Sequence, residues 1–246
     1  MKSSILVVGG AGYIGSHMAK MLAQSSHEVI VMDNLSTGFR DAARYGRLIE
    51  GDLADQALLD RIFAEDDIAA VLHFAALSQV GESMREPALY YRNNIANTQN
   101  LLDAMLRHHV RRFIFSSTAA IFGEPESTLI DEQHPQRPIN PYGRSKRMVE
   151  EMLADGASNA FNLGSGTGFS VQEVIDTARR VTGQPIPAQT QERRAGDPAV
   201  LVADSQKARR ELGWEPCFGD LGTIVEHAWG WEKKKGEARQ NRSFQT

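Results

Sequence analysis

Residues 5–8, Ile-Leu-Val-Val, form an unbroken apolar run that stops at Gly9 and Gly10, the pattern of a short strand covered on both faces. Met18 and Leu22 then recur at helical spacing as far as Gln24. Glu28 to Met32 is a second apolar run, closed by Asp33. Leu48 to Glu50, Ala69 to Phe74 and Arg112 to Phe115 read as further strands, the last expected next to the first. Between them, Asp55 to Phe63 and Pro87 to His109 carry helical periodicity, the second through Leu89, Ile95, Leu101, Leu102 and Met105. Asn140 is a good N-cap and Pro141 suits a first helical turn. Beyond it, Phe161 to Leu163 reads as a strand. Ser170 to Val181 reads as a capped helix with Gly183 past its end, and Ala203 to Leu212 and Asp220 to Trp231 as two more. Strands alternating with helices predict an α/β protein with a Rossmann-type doubly wound parallel sheet.

The first strand, the glycines and the helix after them define the first candidate chemistry. Gly9, Gly12 and Gly15 allow a tight turn, a bare backbone against a pyrophosphate and close helix–sheet packing. The helix N-terminus offers N–H groups and partial positive charge to phosphate. Asp33 can accept hydrogen bonds from an adenosine ribose and would repel a 2′-phosphate, so NAD is favoured over NADP. Asn34-Leu35-Ser36-Thr37-Gly38 is a polar turn beside the adenosine. Asp52 can reach the adenine amino group or cap the next helix; both readings stand. Small residues in Phe74-Ala75-Ala76 leave room for a ligand at a strand end. His73 reads as a packed strand residue. His108 and His109 suit a helix C-terminus. Asn93, Asn94 and Asn97 cluster where Asn is a poor helix former, so a buried hydrogen-bonding role and a solvated face are both open.

A second constellation follows the fifth strand. The hydroxyls of Ser116, Ser117 and Thr118 can face a nicotinamide. Tyr142 and Lys146 share one helix face. An ammonium near the phenol lowers the cost of phenolate, which would make Tyr142 a base with Thr118 positioning the reacting hydroxyl.

Composition trims the alternatives. A net charge of -4 over 246 residues gives no case for nucleic acid or an acidic membrane surface. The single Cys217 excludes an intrachain disulfide and a Cys-based metal site; no metal is expected. Neither a secretory leader nor a transmembrane run is expected, which points to the cytoplasm.

Taken together the motifs resemble the UDP-glucose 4-epimerase family of extended short-chain dehydrogenase/reductases. They are Gly9-Gly10-Ala11-Gly12-Tyr13-Ile14-Gly15-Ser16-His17, Asp33 to Gly38, His73 to Ala76, Val80-Gly81-Glu82-Ser83, Tyr90 to Asn94 and Tyr142-Gly143-Arg144-Ser145-Lys146. The resemblance resumes in Asn159 to Gly166 and Arg193 to Pro198. It implies that Tyr142 and Thr118 handle the sugar 4-hydroxyl and that Lys146 binds the nicotinamide ribose. It implies further NAD contacts at Tyr13, Ile14, Leu53, Asn94 and Ser116. Ser83, Arg194 and Asp197 would meet the UDP-sugar, the last two at its diphosphate and uridine. The implied reaction passes hydride from C4 to NAD, rotates the 4-keto sugar and returns hydride to the other face. The family's homodimer, through Pro87–His109 and Tyr142–Leu153, is implied as well.

One departure matters. In the family a strand and a long substrate-binding stretch follow the Tyr-x-x-x-Lys helix. Here Met152-Leu153-Ala154-Asp155 runs directly into Gly156-Ala157-Ser158-Asn159, a loss on the order of 90 residues, or about three βαβ-sized pieces. The resemblance so implies a truncated C-terminal substrate domain. The join is expected at Asp155/Gly156, and the domains at 1–155 (NAD-binding), 156–232 (remnant of the sugar-nucleotide domain) and 233–246 (a frayed, solvated tail). The strand over 159–163 is expected to fill the place of the lost sixth strand. Two other readings remain: a nucleotide-sugar 4,6-dehydratase, disfavoured by Ala119-Ala120 after Thr118, and a non-catalytic NAD-binding remnant.

Overall fold

The computed structural model describes residues 3–154 and 157–243, with side chains as far as Glu237. The expected join at Asp155/Gly156 lies outside the described residues.

Two compact units emerge, Met1–Gln79 with Glu86–Ser117, and Val80–Arg85 with Thr118–Thr246.

The first unit holds a five-stranded parallel sheet. Its strands are β1 (Ser4–Val8), β2 (Glu28–Asp33), β3 (Arg47–Glu50), β4 (Ile68–His73) and β5 (Phe113–Phe115), in the order β3-β2-β1-β4-β5. β5 thus pairs with β4, and it is β4 that lies next to β1, which corrects the expected neighbour. The apolar run 5–8 of β1 has a direct physical cause. Side chains alternate across a strand, so a sheet covered on both faces needs apolar residues at every position. Leu6 and Val8 join Ile30 and Met32 on one face, against Leu58, Leu59 and Ile62 of α2 (Gln56–Glu65). Val7 joins Val29 and Val31 on the other, with Ala19 of α1 (Tyr13–Gln24). Full burial of each such side chain stabilises by about 1.5–3 kcal/mol.

The long helix expected from Pro87 is continuous but changes type. Between α4 (Pro87–Tyr91) and α5 (Asn97–Arg107), residues Arg92–Ala96 form a π-turn. It carries Asn93 and Asn94, with Asn97 next in the chain, and such turns are frequent at functional sites. α3 (Val80–Arg85) is a short helix of the second unit that the residue pattern does not predict.

In the second unit, α6 (Pro141–Leu153) starts as expected, with Asn140 accepting the N–H of Gly143. A capping box at Ser170 and Glu173 opens α7 (Val171–Thr182), and Gly183 closes it in the left-handed region. Two helices follow, α8 (Gln206–Leu212) and α9 (Leu221–Ser243). The helix expected to stop at Trp231 thus runs on through the segment expected to fray.

The strand expected at Phe161–Leu163 does not form. Asn162 donates its N–H to Glu132 Oε1 at 2.6 Å and its side-chain amide to the Ile130 carbonyl at 2.9 Å. Lys207 sits 4.7 Å from the Phe161 ring centroid. Those bonds hold the segment as a loop, so it does not extend the sheet. Among the described residues β5 is the last strand on its side.

Candidate dinucleotide and acid–base sites

The strand ends of the first unit surround a cleft with about 620 Å³ of open space. Gly9 lies at φ +79°, and a Cβ there would stand 2.5 Å from the Ala75 nitrogen. A Cβ on Gly15 would stand 2.2 Å from the Gly9 carbonyl oxygen. Gly12 is different: it lines the cleft and meets nothing closer than 3.3 Å. It is also the N-cap of α1, and no side chain caps that helix. First-turn N–H groups without a side-chain cap, beside a bare glycine, are the donor set a diphosphate requires.

Asp33 is fixed from both sides. Its Oδ2 accepts the Ala11 N–H at 2.9 Å and its Oδ1 the Leu35 N–H at 2.8 Å. Asn34, Ser36 and Thr37 line the same end of the cleft with Asp52 and Leu53, and Phe74, Ala75 and Ala76 line the other. Asp52 is not the helix cap: Asp55 accepts the Leu58 N–H and takes that role.

Tyr13, Ile14 and Gly15 lie in the first turn of α1, and Gly38 packs against Ala11, where a Cβ would stand 2.7 Å from the carbonyl carbon. Asn94 is buried, accepting the Leu77 N–H and donating to the Leu77 carbonyl, both at 3.0 Å. Its neighbour Asn93 lines the cleft instead, and donates to Asn94 Oδ1 at 2.9 Å. Asn94 therefore shapes the wall through Leu77, and Asn93 lies beside it on the same π-turn. Val8, Met32, Gly51 and Leu77 also line the cleft and were not anticipated. Ser116 donates its main-chain N–H to His73 at the end of β5, and the neighbouring Ser117 hydroxyl is buried without a hydrogen-bond partner among the described residues. His73 packs as expected, with Nε2 2.9 Å from Thr98 Oγ1.

The second unit carries the acid–base residues. Tyr142 hydrogen-bonds Thr118, whose hydroxyl oxygen also accepts the Ala120 N–H at 3.2 Å. Burial pushes the Tyr142 hydroxyl above the ordinary tyrosine range, and the Thr118 bond opposes this only in part. Burial also holds Lys146 down at about 8, with Glu150 opposing. Desolvation is the largest cause of both shifts and disfavours charge on each group.

Arg194 and Asp197 face each other as a bidentate pair, at 2.8 and 3.1 Å. Arg194 also lies against Gly81, where a Cβ would stand 3.2 Å from its Cδ. Ser83 is fully buried and donates to the Val80 carbonyl at 2.7 Å.

A glycine-cradled cleft at the carboxyl ends of parallel strands defines a dinucleotide-binding α/β protein. The chain belongs to the NAD dependent epimerase/dehydratase family, whose model matches residues 5–214. It is 37% identical to the UDP-glucose 4-epimerase of Halalkalibacterium halodurans, covering 98% of this chain and 100% of that protein. That alignment spans 333 residues against the 246 of this chain, so at least 87 aligned positions have no counterpart here. The Brucella ovis UDP-glucose 4-epimerase in complex with NAD is similar at 34% identity and TM-score 0.83, covering 91% of this chain and 96% of that one. The Bifidobacterium longum UDP-glucose 4-epimerase in complex with NAD+ and UDP has 27% identity and TM-score 0.88, covering 96% of this chain and all of that one. No described helix is long and apolar enough to cross a membrane.

Proposed function

We propose that this chain is an NAD-dependent 4-epimerase of a UDP-hexose, UDP-glucose and UDP-galactose, with a sugar-nucleotide half reduced by the internal gap. The observation that carries the chemistry is the Tyr142–Thr118 hydrogen bond at the head of α6, one helical turn before Lys146. Asp33 takes the adenosine ribose and Asp52 the adenine, while Gly12 and the head of α1 take the diphosphate. Bound NAD supplies a reversible hydride acceptor at C4. Tyr142 accepts the 4-hydroxyl proton and later returns it, with Thr118 aligning that hydroxyl. Lys146 holds the nicotinamide ribose. Arg194 and Asp197 hold what remains of the nucleotide end.

The protein works in the cytoplasm as a homodimer on this reading. Gel filtration with light scattering tests the second point; a monomer removes it.

The gap removes residues that line the sugar site in the resemblance, so NAD binding is retained while turnover is low. The test is a coupled assay of UDP-galactose conversion on protein of confirmed 27.2 kDa mass, with bound dinucleotide measured in parallel. NAD binding with slow, Tyr142-dependent turnover is expected. Absence of NAD binding overturns the function, and fast turnover overturns the low activity assigned to the gap.

A further inference from the structure

Asp52 follows β3 and lines the dinucleotide cleft. Three donors converge on its carboxylate. The Ala54 N–H reaches Oδ1 at 2.9 Å, Asn97 Nδ2 reaches Oδ1 at 3.3 Å, and Asn34 Nδ2 reaches Oδ2 at 2.7 Å. They come from its own turn, from the first residue of α5 and from the turn after β2. The amide of Asn34 cannot be reversed, because its oxygen accepts the Ser36 N–H at 3.0 Å. An ionised carboxylate has about four acceptor sites. Oδ1 has used both of its own, and Oδ2 keeps one.

The wide turn at Arg92–Ala96 lies immediately before Asn97. Its register puts Asn94 on Leu77 and Asn97 on Asp52, so one helical irregularity braces two walls of the cleft. Asn is a poor residue for a helix interior, and a hydrogen bond across the chain to a carboxylate is a physical use for it here.

We infer that Asn97 is a positioning residue for base recognition: with Asn34 it holds Asp52 so that the open site on Oδ2 accepts the 6-amino group of adenine. The chain thereby selects an aminopurine over an oxopurine dinucleotide. An oxopurine carries a carbonyl oxygen at that position and meets the carboxylate as acceptor against acceptor. The inference rests on the cofactor assignment of the cleft proposed above.

Calorimetric titration of the full chain with NAD and with nicotinamide hypoxanthine dinucleotide tests it. One charge-assisted hydrogen bond predicts a preference for NAD of about tenfold or more in the unsubstituted protein. Asn97→Ala is expected to lose about three- to fivefold of that preference through weaker NAD binding alone, within the range of one hydrogen bond. Asp52→Ala is expected to abolish it. Ala is a better helix former than Asn, and Asn97→Leu, which keeps the branched shape without the donor, is expected to behave as Asn97→Ala does. Melting temperatures report folding separately. An unchanged ratio in both Asn97 variants, whether the two affinities fall together or stay put, overturns the inference and leaves the proposed function intact. An unsubstituted protein that binds neither dinucleotide overturns both.

Discussion

Asp33 Oδ2 accepts the main-chain N–H of Ala11 at 2.9 Å, which ties the acid ending β2 to the glycine turn following β1. Its other oxygen holds Leu35, a non-glycine residue at φ +56°. One carboxylate thus orders the two loops that frame the adenosine end of the cleft. Each oxygen keeps an acceptor site for a ribose hydroxyl.

Replacing it should therefore do two things. Asp33→Ala is expected to weaken NAD about tenfold or more, because charge-assisted hydrogen bonds are worth about 1.5–3 kcal/mol. It should also narrow the preference of NAD over NADP by removing like-charge repulsion. Calorimetry with both dinucleotides measures this, and equal NADP and NAD binding by the unsubstituted protein would sink the role of Asp33.

Adjacent residues on the π-turn should separate cleanly. Asn94→Ala leaves the buried polar groups of Leu77 unpaired and is expected to cost about 2–4 kcal/mol of stability. Asn93→Ala faces the cleft and should leave stability nearly unchanged while weakening NAD. Urea denaturation and dinucleotide titration on both variants check the assignment; the reverse pattern would refute it.

Tyr142→Phe should lose about 10²–10⁴-fold in any epimerase turnover, the usual contribution of a general acid–base group, with NAD binding kept. Lys146→Ala should lower both. Turnover by Tyr142→Phe at the unsubstituted rate would remove the catalytic assignment.

The buried Lys146 also predicts how stability follows pH. Its folded value of about 8 lies below the ordinary 10.5, so between the two the unfolded chain binds more protons. Stability then rises with pH from about 8, as the desolvated ammonium gives up its proton in the folded state first. Near pH 9.5 the gain is about 2 kcal/mol relative to pH 7, at about 1.4 kcal/mol per unit. Tyr142 acts in the opposite sense only above about 10, because burial raises its folded value and the unfolded phenol ionises first. Urea midpoints at pH 7 and 9.5 measure the gain, and Lys146→Met should flatten it. A midpoint that falls over this interval in the unsubstituted protein and not in the variant would contradict the buried ammonium.

Local chemistry made much of this protein legible in its residue order. A doubly covered strand must be apolar throughout, so β1 and β2 could be read directly. Glycine alone tolerates the φ of Gly9 and the approach of Gly15, so the turn could be read too. The caps at Asn140 and Ser170 and the stop at Gly183 are satisfied within a few residues and were equally plain.

What the sequence could not settle depends on partners distant along the chain. The failed strand at Phe161–Leu163 looks apolar enough locally, yet Glu132 and Ile130 take its polar groups. The hydrogen bonds that hold Asn94 to Leu77 and Ser83 to Val80 are likewise set by packing rather than by periodicity. Composition, caps and glycine geometry act over a few residues and are written in order; burial, hydrogen-bond competition and pKa arise from everything packed around a group. The sequence by itself therefore determined the alternation of strands and helices and the identity of the chemical groups. Only the tertiary structure decided which groups face the cleft and which way Tyr142 and Lys146 are shifted, because desolvation is a property of the packed surroundings.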